Sequence, residues 1–345
     1  MRLKNISSIT ASTVDDADSI AENTPKILAK ARADSADTLI IGAGAAGLMC
    51  AANIKTGGII LEGSSRIGTK LLMSGHGHCN ITHAGSIKDF PTCYGDAGRS
   101  IRKILYKYSN IDLIEFLASH GIKTVTNEDD RIFPESMRSQ DIRDAFLSAA
   151  EDNGFKVITN RKVTEITVND DNSSSHKYVI IAEAPDGQRF HYEAKTLVIA
   201  TGGKSYPRSG SDGSMFDVAN KGLGLEYTEL KPSLAPLEIK GYPYGELSGI
   251  SFDKVEISIY PKSGKRLALL SGSLLLAHDN FTGPAILNSS KYAEPGCWLQ
   301  INYIGMSREA ALAKLTSNSS SGARSAQNGE LGSIIAKEFA LPRRF

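Results

Sequence analysis

Three glycines and one carboxylate carry the clearest chemistry in this chain. In Asp37-Thr-Leu-Ile-Ile-Gly42-Ala43-Gly44-Ala45-Ala46-Gly47-Leu-Met-Cys-Ala51 a buried strand reads directly into a helix through a glycine turn. Gly42 permits the tight turn, Gly44 lets backbone approach a pyrophosphate with no side chain between, and Gly47 lets helix pack closely on strand. The unpaired N–H groups at the start of the helix then face the phosphates. A second apolar run, Gly58-Ile-Ile-Leu61, ends in Glu62. That is about twenty residues past the first glycine, where a carboxylate accepts hydrogen bonds from a ribose 2′-hydroxyl. A 2′-phosphate would be repelled there, so the expected nucleotide is FAD or NAD rather than NADP.

Other reactive side chains are read against plainer alternatives. His76, His78, Cys79 and His83 could ligate zinc, yet the spacing HxHCxxxH is not a common zinc pattern, and no metal is expected. Cys79 has no CxxC partner and reads as a passive loop cysteine. His278 suits proton delivery through its near-neutral pKa, or simply ends a strand. Tyr206, just after a glycine turn, is a proton donor or a packed ring. Arg131 could clamp an anion, although an exposed ion pair with Glu128 or Asp129 is the commoner outcome.

The elements that must position these groups follow from periodicity. Ile101, Ile104, Leu105 and Tyr108 recur at helical spacing, as do Ile111, Leu113, Ile114 and Leu117 before a stop at Gly121. Arg131–Pro134 reads as extended and Gln140–Ala150 as a helix. Short strands are expected at Lys156–Thr159, Val163–Val168, Tyr178–Ala184, Phe190–Glu193 and Thr196–Ala200, with turns at 171–175 and 185–187. The last of these opens a second glycine turn, Ala200-Thr201-Gly202-Gly203, whose strand belongs beside the first in a parallel sheet. Further strands are expected at Ser251–Tyr260, Arg266–Leu276 and Leu299–Tyr303. Helices are expected at Ser307–Leu315 and Leu331–Phe339, separated by a polar loop from Thr316 to Glu330, with a short helix also near Pro25–Arg32.

The 345 residues allow about two domains. A net charge of +1 gives no electrostatic case for nucleic acid or an anionic membrane, so neither is expected as a partner. Cys50, Cys79, Cys93 and Cys297 show no paired spacing and suit a reducing, cytoplasmic setting. The apolar stretch Leu267–Ala277 is too short for a membrane span. Residues 1–36 read as a polar, flexible leader without the features of a targeting peptide.

Several separated segments together resemble one family. Gly68-Thr-Lys70-Leu-Leu-Met-Ser74-Gly75-His-Gly77-His-Cys79-Asn80-Ile-Thr82 is similar to the GRKxxxSGxGRCNxT loop of the BaiN/RdsA-type flavoproteins, also known as YhiN-like and as the aminoacetone oxidase family. Arg131–Pro134, Ala200–Pro207, Pro232–Leu237, Leu247–Ile250 and His278–Leu287 resemble further segments of the same family in the same order. The resemblance covers roughly 37–345.

It implies an α/β flavoprotein, with a glutathione-reductase-type Rossmann FAD-binding domain over 37–207 and an inserted β-barrel plus helical domain over 208–345. FAD would be the cofactor and NAD(P)H the donor. Glu62 would bind the adenosine ribose, Lys70 and the loop containing Gly75, Cys79 and Asn80 would lie along the flavin, and Val163 would meet adenine through its backbone. Thr201–Gly203 would flank the pyrophosphate, and His278 would face the flavin.

The implied activity is reduction of a conjugated C=C in a hydrophobic enone, with oxidation of a small amine such as aminoacetone as the alternative. Thr69 and His78 stand where the family has arginines, which removes two positive charges, and His83 stands where it often has asparagine. The resemblance also leads to the expectation that the family's closing segment has no counterpart before Phe345. On that reading the chain could be a non-catalytic nucleotide-binding remnant that associates with a partner chain, or with itself, through an incomplete sheet.

Overall fold

A computed structural model describes residues 34–169, 175–318, 335–339 and 341–342. They fall into two compact units, the first reaching Thr228 and the second beginning at Glu229. The segment 208–228, expected in the second domain, therefore groups with the first. Of the expected leader, 34–36 belong to the first strand and the remainder lies outside the described residues, as does the short helix near Pro25.

The first unit opens with β1 (Asp34–Ile41), α1 (Ala45–Asn53), β2 (Gly58–Leu61) and α2 (Thr69–Met73). It continues through β3 (Thr82–His83), α3 (Gly98–Lys107), α4 (Asn110–Ser119), β4 (Thr124–Thr126), β5 (Arg131–Pro134) and α5 (Ser139–Asp152). It closes with β6 (Phe155–Ile158), β7 (Lys162–Val168), β8 (Tyr178–Glu183), β9 (Arg189–Ile199) and α6 (Ser214–Leu223). Six strands form one sheet in the order β6-β2-β1-β9-β8-β7. The β6-β2-β1-β9 half is parallel and the β9-β8-β7 half antiparallel.

Side-chain alternation explains why β1 must be central. Ile40 packs with Leu48, Ile60, Ile142 and Phe146 on one face, while Leu39 and Ile41 pack with Leu61, Ile180 and Tyr192 on the other. A strand covered on both faces is apolar throughout, which is how Leu-Ile-Ile reads. The two strands expected at Phe190–Glu193 and Thr196–Ala200 are one continuous β9. It pairs with β8 over 189–194 and with β1 over 192–199, so Tyr192–Ala194 are hydrogen-bonded neighbours of both strands.

Around this sheet the helices follow the expected spacings. Ser109 and Asp112 form a reciprocal capping box that starts α4, and Gly121, at φ +79°, follows its end. The apolar face of α3 is only partly covered, with Ile104 69% exposed. Strands β3 and β4 join β5 in a small antiparallel sheet that periodicity does not reveal, since two or three residues carry no period.

The second unit contains β10 (Leu237–Glu238), β11 (Ser251–Tyr260), β12 (Ala268–Leu276), β13 (Asn280–Thr282), α7 (Pro284–Ser289), β14 (Trp298–Asn302) and α8 (Arg308–Asn318). Its strands are antiparallel in the order β10-β13-β12-β11-β14. Phe252, Val255, Ile257, Leu274, Leu276 and Phe281 build its core, with Ile286 of α7 packed against them. Residues 335–338 are helical, within the helix expected at 331–339; most of the expected polar loop lies outside the described residues. No helix among the described residues is long and apolar enough to cross a membrane.

Candidate functional site

The first glycine turn sits where β1 ends at the carboxyl edge of the sheet. Gly42 has φ +102°, its N–H donates to Leu61 O at 2.8 Å, and a Cβ there would lie 2.7 Å from Ala200 O. A Cβ on Gly47 would lie 1.9 Å from Gly42 O, so helix and turn touch backbone to backbone. A Cβ on Gly44 would meet nothing within 4 Å. Ala43 is buried, whereas Ala45 and Ala46 are exposed in the first turn of α1, and no side chain caps that end. The helix N-terminus therefore presents unsatisfied N–H groups and its dipole to the open space over Gly44.

Glu62, at the tip of β2, is held in place by three donors. Its Oε2 accepts from Ala43 N–H at 2.9 Å, and its Oε1 accepts from Ser64 N–H at 2.9 Å and Ser64 Oγ at 2.8 Å. An ionised carboxylate has about four acceptor sites, so capacity remains for a diol. The backbone beside it is fixed by Arg161 N–H donating to Glu62 O at 2.8 Å and Asn160 N–H donating to Ser64 O at 3.0 Å. That places the start of β7 next to Glu62. Val163 itself is buried in the core, paired with Ala182 of β8.

The second glycine turn leaves β9 beside the first, through Ala200 N–H donating to Ile41 O at 2.8 Å. Thr201 and Gly203 are half-buried and Gly202 is exposed, at φ +77°. Lys70 reaches this turn from α2 and donates to Ser211 Oγ at 2.6 Å. Asp212, the next residue, accepts from Lys162 Nζ at 3.0 Å and also from Ser214 N–H and Oγ. The Ser214 hydrogen bonds, with Lys162 adding to them, pull the Asp212 carboxyl down to about 2. A cleft of about 290 Å³ opens beside Thr201 and Gly202, lined by Ile199, Met215, Phe216 and Tyr227 among others.

The 74–80 loop is left-handed at Gly75, His76, Gly77 and Cys79, a backbone rarely adopted by side-chain-bearing residues. A Cβ on Gly75 would lie 2.7 Å from Asn80 N, which explains the glycine. Cys79 is buried in the core, where burial pushes its thiol pKa up, whereas Asn80 is exposed. The histidines are dispersed: His78 Nδ1–H donates to Met137 O at 2.9 Å and His83 Nδ1–H to Ala84 O at 2.8 Å. Arg131 pairs with the exposed Asp129 at 3.7 Å.

The two expected proton carriers have different surroundings. Tyr206 follows the second glycine turn and is 68% exposed with φ +57°, so packing does not account for it. His278 lies in the second unit, exposed in the turn between β12 and β13. Ser64, Lys162, Ser211 and Asp212 were not singled out from the sequence. Only the run Gly210-Ser-Asp-Gly-Ser214 after the second glycine turn hinted at the last two.

The model of the HI0933-like protein Rossmann domain matches residues 36–283, and that of the HI0933-like protein barrel and H2TH domain matches 231–341. The chain belongs to the HI0933-like family. A ribosomal RNA dihydrouridine synthase of Haemophilus influenzae is 29% identical over 75% of this chain and 62% of its own length. A 3-dehydro-bile acid delta(4,6)-reductase of Clostridium scindens is 29% identical over 70% of this chain and 54% of its own. The chain thus spans somewhat more than half the length of these curated relatives. A 3-ketosteroid-delta4-(5alpha)-dehydrogenase from Rhodococcus jostii RHA1 superposes with TM-score 0.43 at 14% identity, over 75% of this chain and 59% of that one. A likeness at that level carries no functional argument.

Proposed function

We propose that this chain is a FAD-binding oxidoreductase that saturates a C=C conjugated to a carbonyl, with NAD(P)H as donor. The observation that carries the reading is the cradle: an uncapped helix N-terminus over the open Gly44 position, with Glu62 held beside it to receive a ribose. These residues fit the ADP half of FAD, and the left-handed 74–80 loop and the 201–203 turn offer backbone to the rest. Bound FAD supplies hydride transfer, which side chains cannot perform. The chain's own groups bind the phosphates at α1, orient the ribose through Glu62, and deliver a proton from Tyr206 Oη or the His278 ring. Both relatives' names describe adding hydrogen across a C=C, which supports a common reaction on different substrates.

For the substrate, the apolar cleft beside Thr201 and Gly202 favours a hydrophobic enone. A second reading, a uridine in RNA, is favoured by α3. Arg99, Arg102, Lys103 and Lys107 are all exposed there with Tyr106, and none forms an ion pair among the described residues. The near-zero net charge of the whole chain hides this local excess. The test is to purify the protein, record its flavin absorbance, and follow NADH and NADPH oxidation with a steroid enone or with unmodified ribosomal RNA. Flavin-loaded protein that consumes the donor with either substrate supports the reading. Colourless protein that stays apo after FAD is added overturns it.

A further inference from the structure

His278 is exposed on a tight turn, so the direction of its ring depends on the backbone that carries it. Ala277 N–H donates to Asn280 O at 3.0 Å, which leaves His278 and Asp279 as the central residues of the hairpin between β12 and β13. One short stretch braces that hairpin. Tyr242 Oη donates to Ala277 O at 3.0 Å, and this carbonyl belongs to the peptide group that joins Ala277 to His278. On the other side of the histidine, His278 O lies against Gly245, where a Cβ would be 3.0 Å from it. The Tyr242 ring meets Phe281 edge-on at 5.2 Å between centroids and Tyr244 at 5.7 Å. Phenylalanine would pack these rings as well, and a hydroxyl taken out of water needs a partner, so what the phenol adds here is its bond to Ala277 O. Burial, with Tyr244 and Asp279 adding to it, pushes the Tyr242 pKa up, and the hydroxyl stays a donor wherever a histidine titrates.

We propose that Tyr242 is the positioning residue for proton delivery by His278, a proposal that rests on the reading of His278 as the proton donor. Rotating the peptide between Ala277 and His278 changes φ at His278 and swings its Cβ, so the bond that fixes this peptide also aims the ring. Aim matters because a proton crosses only between atoms about 3 Å apart, and a misplacement of about 1 Å can cost on the order of a hundredfold in rate. The His278 ring makes no hydrogen bond among the described residues, which leaves its direction to the backbone. Tyr242 and Ala277 lie 35 positions apart, so their meeting depends on the fold of the second unit rather than on a local motif.

The experiment compares Tyr242→Phe, His278→Gln, the double variant and Tyr244→Phe in the full chain loaded with FAD, with a steroid enone as substrate. Tyr242→Phe keeps the ring and is expected to leave FAD affinity and KM within about twofold of wild type while lowering kcat about tenfold. In the His278→Gln background the same change should cost nothing further, since no ring is left to aim. Nitrogen NMR of the histidine rings, recorded without substrate, should show the His278 resonance shifted in Tyr242→Phe and unmoved in Tyr244→Phe. Unchanged kcat in Tyr242→Phe, a further loss of the same size in the double variant, or an equal loss in Tyr244→Phe would overturn the proposal. So would an unmoved His278 resonance in Tyr242→Phe, whatever the substrate. If His278→Gln itself turns over normally, the reading of His278 as proton donor falls and takes the proposal with it, a result distinct from a slow His278→Gln beside a silent Tyr242→Phe.

Discussion

Two regions carry the expected chemistry, and they differ in how many independent contacts define them. At the carboxyl edge of the six-stranded sheet, Gly42, Gly47, Glu62, Ala200 and Lys70 are each placed by at least one backbone or side-chain contact to another segment. In the turn between β12 and β13, His278 is exposed, and among the described residues its ring has no hydrogen-bond partner. Binding a large, rigid nucleotide requires a surface preorganised in several places at once, and that requirement is visible before any ligand arrives. Proton delivery needs one group at the right distance from a substrate, and catalytic hydrogen bonds commonly tighten only in the complex. A cofactor site is therefore read from geometry sooner than a proton donor is.

The largest expected effects separate two glycines three positions apart. Gly44→Val should abolish FAD binding while shifting stability by less than about 1 kcal/mol, because its side chain enters open space. Gly47→Ala should instead cost on the order of 3 kcal/mol or more in stability, since its Cβ would sit 1.9 Å from Gly42 O. Denaturant unfolding and FAD titration on both variants check the pair. If Gly44→Val binds FAD normally, the cradle assignment is lost.

Glu62→Ala should weaken FAD by about 1 to 3 kcal/mol, the scale of hydrogen bonds to a charged group. Part of that loss is indirect, because Glu62 also holds Ala43 N–H. The same loss measured with FMN, which has no adenosine ribose, would mean that Glu62 serves only the loop. His278→Gln should leave FAD affinity unchanged and slow turnover by roughly a hundredfold if its ring delivers the proton. Unchanged turnover would return it to an exposed turn residue and leave Tyr206 as the donor to test.

The smallest effect concerns acid. Because the Asp212 carboxyl is lowered from 3.8 to about 2 in the folded chain, its contribution is complete above pH 3.8 and is lost as pH falls from there toward 2. The group is mostly exposed, so solvent screening keeps the contribution below about 1 kcal/mol. Asp212→Asn should therefore flatten the acid limb of the stability profile only slightly. A large change at neutral pH that Lys162→Met fails to reproduce would show that Asp212 acts through Ser214 and the start of α6 rather than through Lys162.

Features that depend on neighbours along the chain are legible in residue order alone. The strand-glycine-helix turn, the carboxylate at the end of β2 and the strand Ser251–Tyr260 all follow from local spacing, because backbone conformation and side-chain alternation are set within a few residues. The second glycine turn is read the same way, and the family segments extended this to the 74–80 loop. Which distant groups meet is set by how the strands assemble. Lys70 finds Ser211, Lys162 finds Asp212, and Arg161 lies against Glu62 because β6-β2-β1-β9 align their ends at one edge, an order no local pattern encodes. Packing likewise turned the Cys79 sulfur into the core and left Tyr206 outside it. Burial is a property of the assembled layers, and a residue's type alone does not carry it.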